Sequence, residues 1–325
     1  VRLARNLADF RYPAKASLLE RKKIFNQVSA AVEKVPQCRD FTHLNFAGVE
    51  KIHQQFLFEN RVVSSELLHA EGDRGVIWGR GGRAGIMVNE EDHVRMQCIG
   101  PGHQPEALWE DLNSIDDELG KYIPYAYDAQ HGFLTACPTN SGTGFRVSFL
   151  MHLPGLVLTK TIDQVLAGAS QLGISTRGFF GEHSAVVGNF FQLSNQATMG
   201  ACEKEFLHAT QDIINKIITY ENTARNRIIN EAPEELADKV CRAYGILKYA
   251  RSLELDEFFN LTSAIRLGIE CGIIKNLNRE ALNRMIIVCL PAHLELYLKR
   301  RVKEADKAAL RAAVVKKMLP KITAA

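Results

Sequence analysis

The sequence predicts an α+β fold in which strands and helices alternate up to about residue 230, followed by an all-helical part. Two observations predict it. Short apolar runs such as Ala84–Val88 read as buried strands, and they are interleaved with stretches of helical period such as residues 17–35 and 203–229. After Asn230-Glu231-Ala232-Pro233 only helical period remains, to about Leu319. The domain limits that follow are 1–230 for the mixed part and 231–325 for the helical part.

Taken in order, Ser17 with Glu20 forms a capping-box pattern at the head of a helix over 17–35, whose apolar positions include Ile24, Phe25, Val28 and Val32. A short helix is predicted over 47–55, then strands at Phe56-Leu57-Phe58 and Val62-Val63. The glycines and arginines of 72–85 read as a hairpin with Arg80 and Arg83 in solvent. Strands follow at 84–88 and 94–99, and Gly100-Pro101-Gly102 leads into a helix over 103–121. Residues 132–136 read as a strand entering the small, polar, glycine-bearing loop 137–146, where backbone N–H groups can approach a ligand closely. No Gly-Lys-Ser/Thr follows, so it is not a Walker loop. A helix over 161–172 ends at Gly173, a glycine-bounded loop covers 178–183, a strand covers 186–193, and Ser194-Asn195 reads as a turn. The long helix 203–229 precedes helices broken near Ser252, Gly272, Asn276 and Pro291.

Composition narrows the function. A net charge of +3 on 325 residues is not that of a nucleic-acid sponge, and no apolar run reaches the roughly 18 residues of a membrane span. The first residues do not form a signal peptide. The seven cysteines include no Cys-x-x-Cys pair, which argues against a zinc site or a disulfide framework and for a reducing, cytoplasmic setting.

The chemistry concentrates around Asn89-Glu90-Glu91-Asp92-His93-Val94-Arg95. Carboxylates packed this closely repel one another unless a cation sits nearby, either an internal partner or a cationic substrate. Arg2, Arg95, Arg146 and Arg177 each stand beside a polar or glycine-rich turn, and converging guanidinium forks would cradle a triphosphate. Glu91, Glu182 and Cys137 could hold a planar cation. Taken singly, dispersed surface arginines, a loop carboxylate and a small buried hydrophobe are the better readings of these residues.

Three stretches together, 89–95, 137–146 and Arg177-Gly178 with Gly181-Glu182-His183, resemble in order and spacing the signature regions of the guanidino (phosphagen) kinases. The likeness is greatest to the bacterial protein arginine kinases. It extends to Met87-Val88, to His152-Leu153-Pro154-Gly155 and Gly188-Asn189-Phe190-Phe191, and to Arg242-Ala243-Tyr244-Gly245 and Arg266-Leu267-Gly268-Ile269 in the helical part.

The resemblance implies an antiparallel sheet flanked by helices, with ATP and Mg²⁺ as cofactors and the metal carried on the nucleotide. It implies that Arg2, Arg95, Arg146 and Arg177 hold the phosphates, with Arg5 in the same first motif and one further arginine falling just before Val1. Arg61 stands where the family has a histidine near the adenine. Glu91 matches the carboxylate that orients the guanidinium and acts as base, Glu182 the second carboxylate, and Cys137 the neighbouring thiolate. Glu90 and Asp92 act through the magnesium shell or as supports, and Asn140 and His183 as supports.

The family's phosphoarginine-binding Arg-Asp-x-x-Arg-Ala motif corresponds to Lys307-Ala308-Ala309-Leu310-Arg311-Ala312, leaving Arg311 as a remnant. The basic stretch Lys299 to Lys317 otherwise reads as the solvated face of a helix. The implied activity is ATP-dependent phosphorylation of exposed arginines on protein substrates in stress response and protein quality control. Implied partners are an activator protein, a Clp-type protease and a second copy in a homodimer, with neither nucleic acid nor membrane. The alternatives are a free-arginine phosphagen kinase and a non-catalytic phosphoarginine- or partner-binding regulator. Phosphagen kinases carry a helical domain before the catalytic part; the sequence is read with none there, which favours a protein acceptor.

Overall fold

The computed structural model describes residues 1–79, 81–179 and 186–320. By packing, the chain divides into two units, Val1–Ser148 with Ser194–Asp212, and Phe149–Leu193 with Ile213–Ala325.

The first unit contains β1 (Arg2–Arg5), α1 (Leu18–Val32), β2 (Thr42–Asn45), α2 (Lys51–Glu59), α3 (Ser65–His69), β3 (Gly75–Trp78), β4 (Ala84–Val88), β5 (Val94–Cys98), α4 (Pro105–Leu119), β6 (Tyr127–Asp128), β7 (Gly132–Phe133) and β8 (Phe145–Arg146). The capping box forms as predicted: Glu20 N–H donates to Ser17 Oγ at 3.3 Å, and Ser17 N–H donates to the Glu20 carboxylate at 2.8 Å. Phe56, Leu57 and Phe58 lie in α2 rather than in the predicted strand. Helical spacing there turns Leu57 into a cluster with Val63, Leu67, Val76 and Met87, and an apolar triplet cannot by itself distinguish helix from strand.

Six strands form one antiparallel sheet in the order β2-β3-β4-β5-β1-β8. Side chains alternate between its faces. On one face, α1 packs against β4 and α4 against β5, and Leu3, Ile86, Met96 and Phe145 are buried. Trp109 of α4 meets Phe145 edge-on at 5.0 Å between ring centroids. The other face is covered over β2, β3 and β4 by α2 and α3, through Leu57, Leu67, Val76 and Met87. Over β5, β1 and β8 that same face carries Arg95, Gln97, Arg2 and Arg146, as the register requires: Arg2 stands opposite both Gln97 and Arg146.

The predicted strand over 132–136 shortens to β7. Leu134 N–H still donates to a backbone carbonyl, Ala126 O at 2.9 Å, but from Thr135 the backbone donors go to side chains: Thr135 N–H to Ser141 Oγ at 3.4 Å and Ala136 N–H to Asp92 Oδ1 at 2.7 Å.

The second unit contains β9 (Ser148–His152), α5 (Pro154–Leu158), α6 (Ile162–Gln171), β10 (Ile174–Arg177) and β11 (Phe190–Asn195), with the strands ordered β10-β11-β9. Gly173, at φ +81°, closes α6 as the sequence predicts. Ser194 and Asn195 finish β11 instead of turning; both are buried, and Asn195 Oδ1 accepts from Val147 N–H at 2.8 Å.

The long α7 (Glu203–Glu231) leads to α8 (Pro233–Tyr249), α9 (Leu255–Glu270), α10 (Arg279–Val288), α11 (Pro291–Leu298) and α12 (Glu304–Met318). These last five share a core that includes Leu236, Val240, Phe258, Phe259, Leu282 and Val315. A break after Leu298, at the left-handed Lys299 (φ 53°), carries no glycine or proline signal in the sequence.

Candidate active site

The β4–β5 hairpin displays Glu91. Asn89 takes a left-handed conformation (φ 58°), its N–H donates to His93 O at 3.0 Å, and Glu90 N–H donates to Asp92 O at 3.1 Å. Asparagine tolerates that conformation, and its side chain anchors the turn by donating to Arg21 O at 2.8 Å and Asp73 O at 2.7 Å. The tight turn leaves Glu91 exposed at the tip while Glu90, Asp92 and His93 are buried.

Each buried neighbour is spent on the protein. Glu90 pairs with Arg95, accepts from Ser64 Oγ, and accepts from Glu91 N–H at 3.2 Å. Burial pushes the Glu90 carboxyl up; Arg95, Ser64, Arg2 and the Glu91 N–H together bring it below the usual carboxylate range. Asp92 accepts from Asn6 Nδ2 at 2.6 Å and Ala136 N–H at 2.7 Å, yet burial outweighs these bonds and raises its carboxyl.

His93 Nδ1 receives Leu7 N–H at 3.1 Å and so accepts. Nε2 therefore carries the proton and donates to Arg11 O at 2.9 Å. Burial lowers its pKa, so the ring is a neutral strut.

The Asp92–Ala136 bond ties the Glu91 hairpin to the loop that opens with Cys137. The thiol of Cys137 is half-buried, with its Sγ 3.0 Å from Thr139 Oγ1. Asn140, in the same loop, is buried, and its Oδ1 accepts from Arg146 Nη2 at 3.2 Å. Arg2, Arg95 and Arg146 therefore share a sheet face whose neighbouring loops carry Glu91, Cys137 and Asn140. Arg2 acts electrostatically on both Glu90 and Asp92. The Arg95 Nε–H is buried and makes no hydrogen bond, as is also true of the Arg5 Nε–H on the opposite face.

Arg5, three residues from Arg2 on the same strand, points to the opposite face. It is 1% exposed, pairs with Asp116 at 2.6 Å, donates to Thr143 O at 2.8 Å, and lies 3.6 Å from the Phe133 ring centroid. That is a packing role. Arg61 occupies the left-handed turn after α2, where Gln97 Nε2 holds its carbonyl at 2.8 Å; burial lowers its guanidinium to about 10.

Arg177 ends β10 in the second unit, and Glu182 and His183 lie outside the described residues. Arg311 is 3% exposed and donates to Cys289 O at 3.0 Å and Leu253 O at 2.7 Å. Lys307 is largely buried between Glu304 (2.7 Å) and Glu295 (3.6 Å). These two residues correct the expectation of a wholly solvated basic face: α12 uses them internally, while Lys316 and Lys317 are exposed.

Sequence reasoning missed Asn6, Ser64 and Gln97. Asn6 is the most consequential, because it binds Asp92 through Nδ2 and His93 N–H through Oδ1 (2.9 Å). Its only signal was a polar residue directly after an arginine-bearing strand.

A cationic sheet face beside an exposed carboxylate and a thiol suits phosphoryl transfer to a flat cation, the chemistry of a guanidino phosphotransferase. The family model for the ATP:guanido phosphotransferase C-terminal catalytic domain matches residues 23–224, and the model for the protein-arginine kinase McsB C-terminal domain matches 233–325. The protein-arginine kinase of Geobacillus stearothermophilus is 36% identical over 321 residues, covering 98% of this chain and 88% of that protein. The protein-arginine kinase of Bacillus subtilis (strain 168) is 35% identical over 321 residues with the same coverage.

Among solved structures, lombricine kinase matches with a TM-score of 0.59 at 26% identity, over 68% of this chain and 64% of that one. The duplicated taurocyamine kinase from Schistosoma mansoni shares the fold, with a TM-score of 0.62 at 23% identity over 76% of this chain and 37% of that one. The chain belongs to the ATP:guanido phosphotransferases, in the protein-arginine kinase family.

Proposed function

We propose that this chain is an ATP-dependent protein-arginine kinase, moving the γ-phosphoryl group of ATP to arginine side chains of protein substrates. The observation that carries the reading is the convergence of Arg2, Arg95 and Arg146 from three adjacent strands on one sheet face, beside the hairpin that displays Glu91.

The arginine forks hold the phosphates and remain charged throughout the reaction. Mg²⁺ enters with the nucleotide and offsets phosphate charge. Glu90 and Asp92 are supports, because their oxygens are engaged by Arg95, Ser64, Asn6 and Ala136. Glu91 orients the acceptor guanidinium, with Cys137 beside it. Arg177 and Glu182 take their roles, phosphate contact and second carboxylate, from their match to the family motifs.

The acceptor guanidinium has a pKa above about 12, and a carboxylate near about 4 cannot strip it beforehand. Proton transfer to Glu91 therefore accompanies formation of the N–P bond. Alignment and a preorganised cationic face supply most of the acceleration.

The same reading places the kinase in the cytoplasm, in stress response and protein quality control. An activator protein and a Clp-type protease are its partners there, and a homodimer its assembly. A free thiol at Cys137 fits a reducing compartment.

The test is to incubate the protein with MgATP and either casein or free arginine, and to look for acid-labile, base-stable phosphate. Label on casein is expected. Label on free arginine alone would favour a phosphagen kinase, and label on neither a binding protein without catalysis.

A further inference from the structure

Most residues of strands β9, β10 and β11 pack in one unit with the C-terminal helices, although all of them fall within the catalytic family match. Three residues on a single stripe of α9, spaced i, i+4 and i+7, touch this sheet or the segments at its strand ends: Phe259, Ser263 and Arg266.

Ser263 is 1% exposed. Its Oγ accepts from Asn189 Nδ2 at 2.9 Å and lies 2.8 Å from Nε2 of His152, the last residue of β9. Because that oxygen accepts from Asn189, its own hydrogen is available to His152 Nε2. Burial, then Arg266 and Arg225, hold the imidazole well below its ordinary pKa, so the ring is neutral and can accept it.

Phe259 packs on Phe179, two residues past Arg177, with centroids 5.0 Å apart, and Phe179 in turn meets Phe190 at 5.3 Å. The left-handed Gly188 (φ +57°) presses on the same residue: a Cβ there would stand 2.7 Å from Phe259 O. Arg266 sits over the Phe190 ring at 5.3 Å. Phe179, two residues past the end of β10, and the turn entering the neighbouring β11 thus both rest on one helical stripe.

We propose that α9 positions β10, and with it Arg177, for phosphoryl transfer, with Ser263 and Phe259 as positioning residues that touch no substrate. The catalytic part rests on the arginine-kinase reading; the mechanical part, coupling of α9 to β10, does not.

The experiment uses the full chain and Ser263→Ala. Amide exchange over residues 174–179 is expected to speed up about tenfold, with that over 84–98 unchanged, and kcat/KM for MgATP to fall about tenfold with the KM for casein unchanged. In an Arg177→Ala background, Ser263→Ala should add nothing further, the signature of two residues acting through one another. Ser263→Thr, which keeps the hydroxyl, should restore most of the loss. If Ser263→Ala fails to fold, Phe259→Leu takes its place, with the same pattern expected.

Unchanged or uniformly faster exchange overturns the coupling. Full activity of the variant, or losses that multiply with Arg177→Ala, overturn the positioning role. A wild-type chain that labels no acceptor overturns the kinase reading and the catalytic part together, and the exchange pattern still decides the coupling.

Discussion

Two sets of arginines in this molecule look alike in sequence and differ in what answers their charge. On the β5-β1-β8 half of the large sheet, Arg2, Arg95 and Arg146 share a face that α2 and α3 do not cover. Arg5 and Arg311 are each 3% exposed or less; one is matched by a carboxylate and two carbonyls, the other by two carbonyls. Arg95 and Arg146 are bonded too, to Glu90 and Asn140, but those partners belong to the hairpin and the loop that carry Glu91 and Cys137, whereas the partners of the second set hold the fold. A guanidinium is costly to bury without partners, so its bonds reveal its role better than its position in a motif does.

The sharpest way to break this contrast is at the hairpin tip. Glu91→Gln keeps the shape and removes the proton acceptor. Turnover on casein should fall by about 10³-fold or more, with nucleotide affinity by calorimetric titration nearly unchanged. A variant that turns over normally would show that Glu91 is not the base.

Next in size is Arg5→Met, which strands the Asp116 carboxylate in the core. We expect a loss of about 3–5 kcal/mol in urea unfolding, while the KM for ATP of the folded fraction stays put. A changed KM with unchanged stability would move Arg5 into the first set.

Arg95→Lys keeps the charge and loses the fork. The expected cost is about 10–100-fold in kcat/KM for ATP, with little change in unfolding midpoint. Equal losses in both measurements would erase the distinction between ligand-facing and fold-holding arginines.

The smallest effect is a pH dependence at Glu90. Its carboxyl titrates below the ordinary value in the folded protein, so its stabilising contribution is present above its unfolded pKa of about 4.3 and fades as pH falls through the folded value. The stability advantage of the wild type over Glu90→Gln should therefore shrink between about pH 5 and pH 3. The same advantage at both ends would mean that Arg95 and Ser64 do not favour the ionised form.

Much of the local structure is legible in the sequence. The Ser17–Glu20 capping box, the hairpin into β4, the α6 stop at Gly173 and the helical run after Pro233 all rest on contacts within a few residues. The misreadings fall where distant partners decide. Phe56–Phe58 joined a helix because the cluster with Val76 and Met87 rewards helical spacing there. Residues 135 and 136 left the ladder as Ser141 and Asp92, the latter more than forty positions away, captured their N–H groups.

What the sequence determined by itself was the chemical inventory: the carboxylate run at 90–92, the arginines, the thiol at 137, and the order of motifs that marks the family. A period of two along β1 was also enough to send Arg2 and Arg5 to opposite faces. Only the tertiary structure decided what packs on each of those faces. The pairing β5-β1-β8 and the seating of α4 behind it are long-range choices. Burial is set by whatever lands on a face, and no local pattern of residues encodes that.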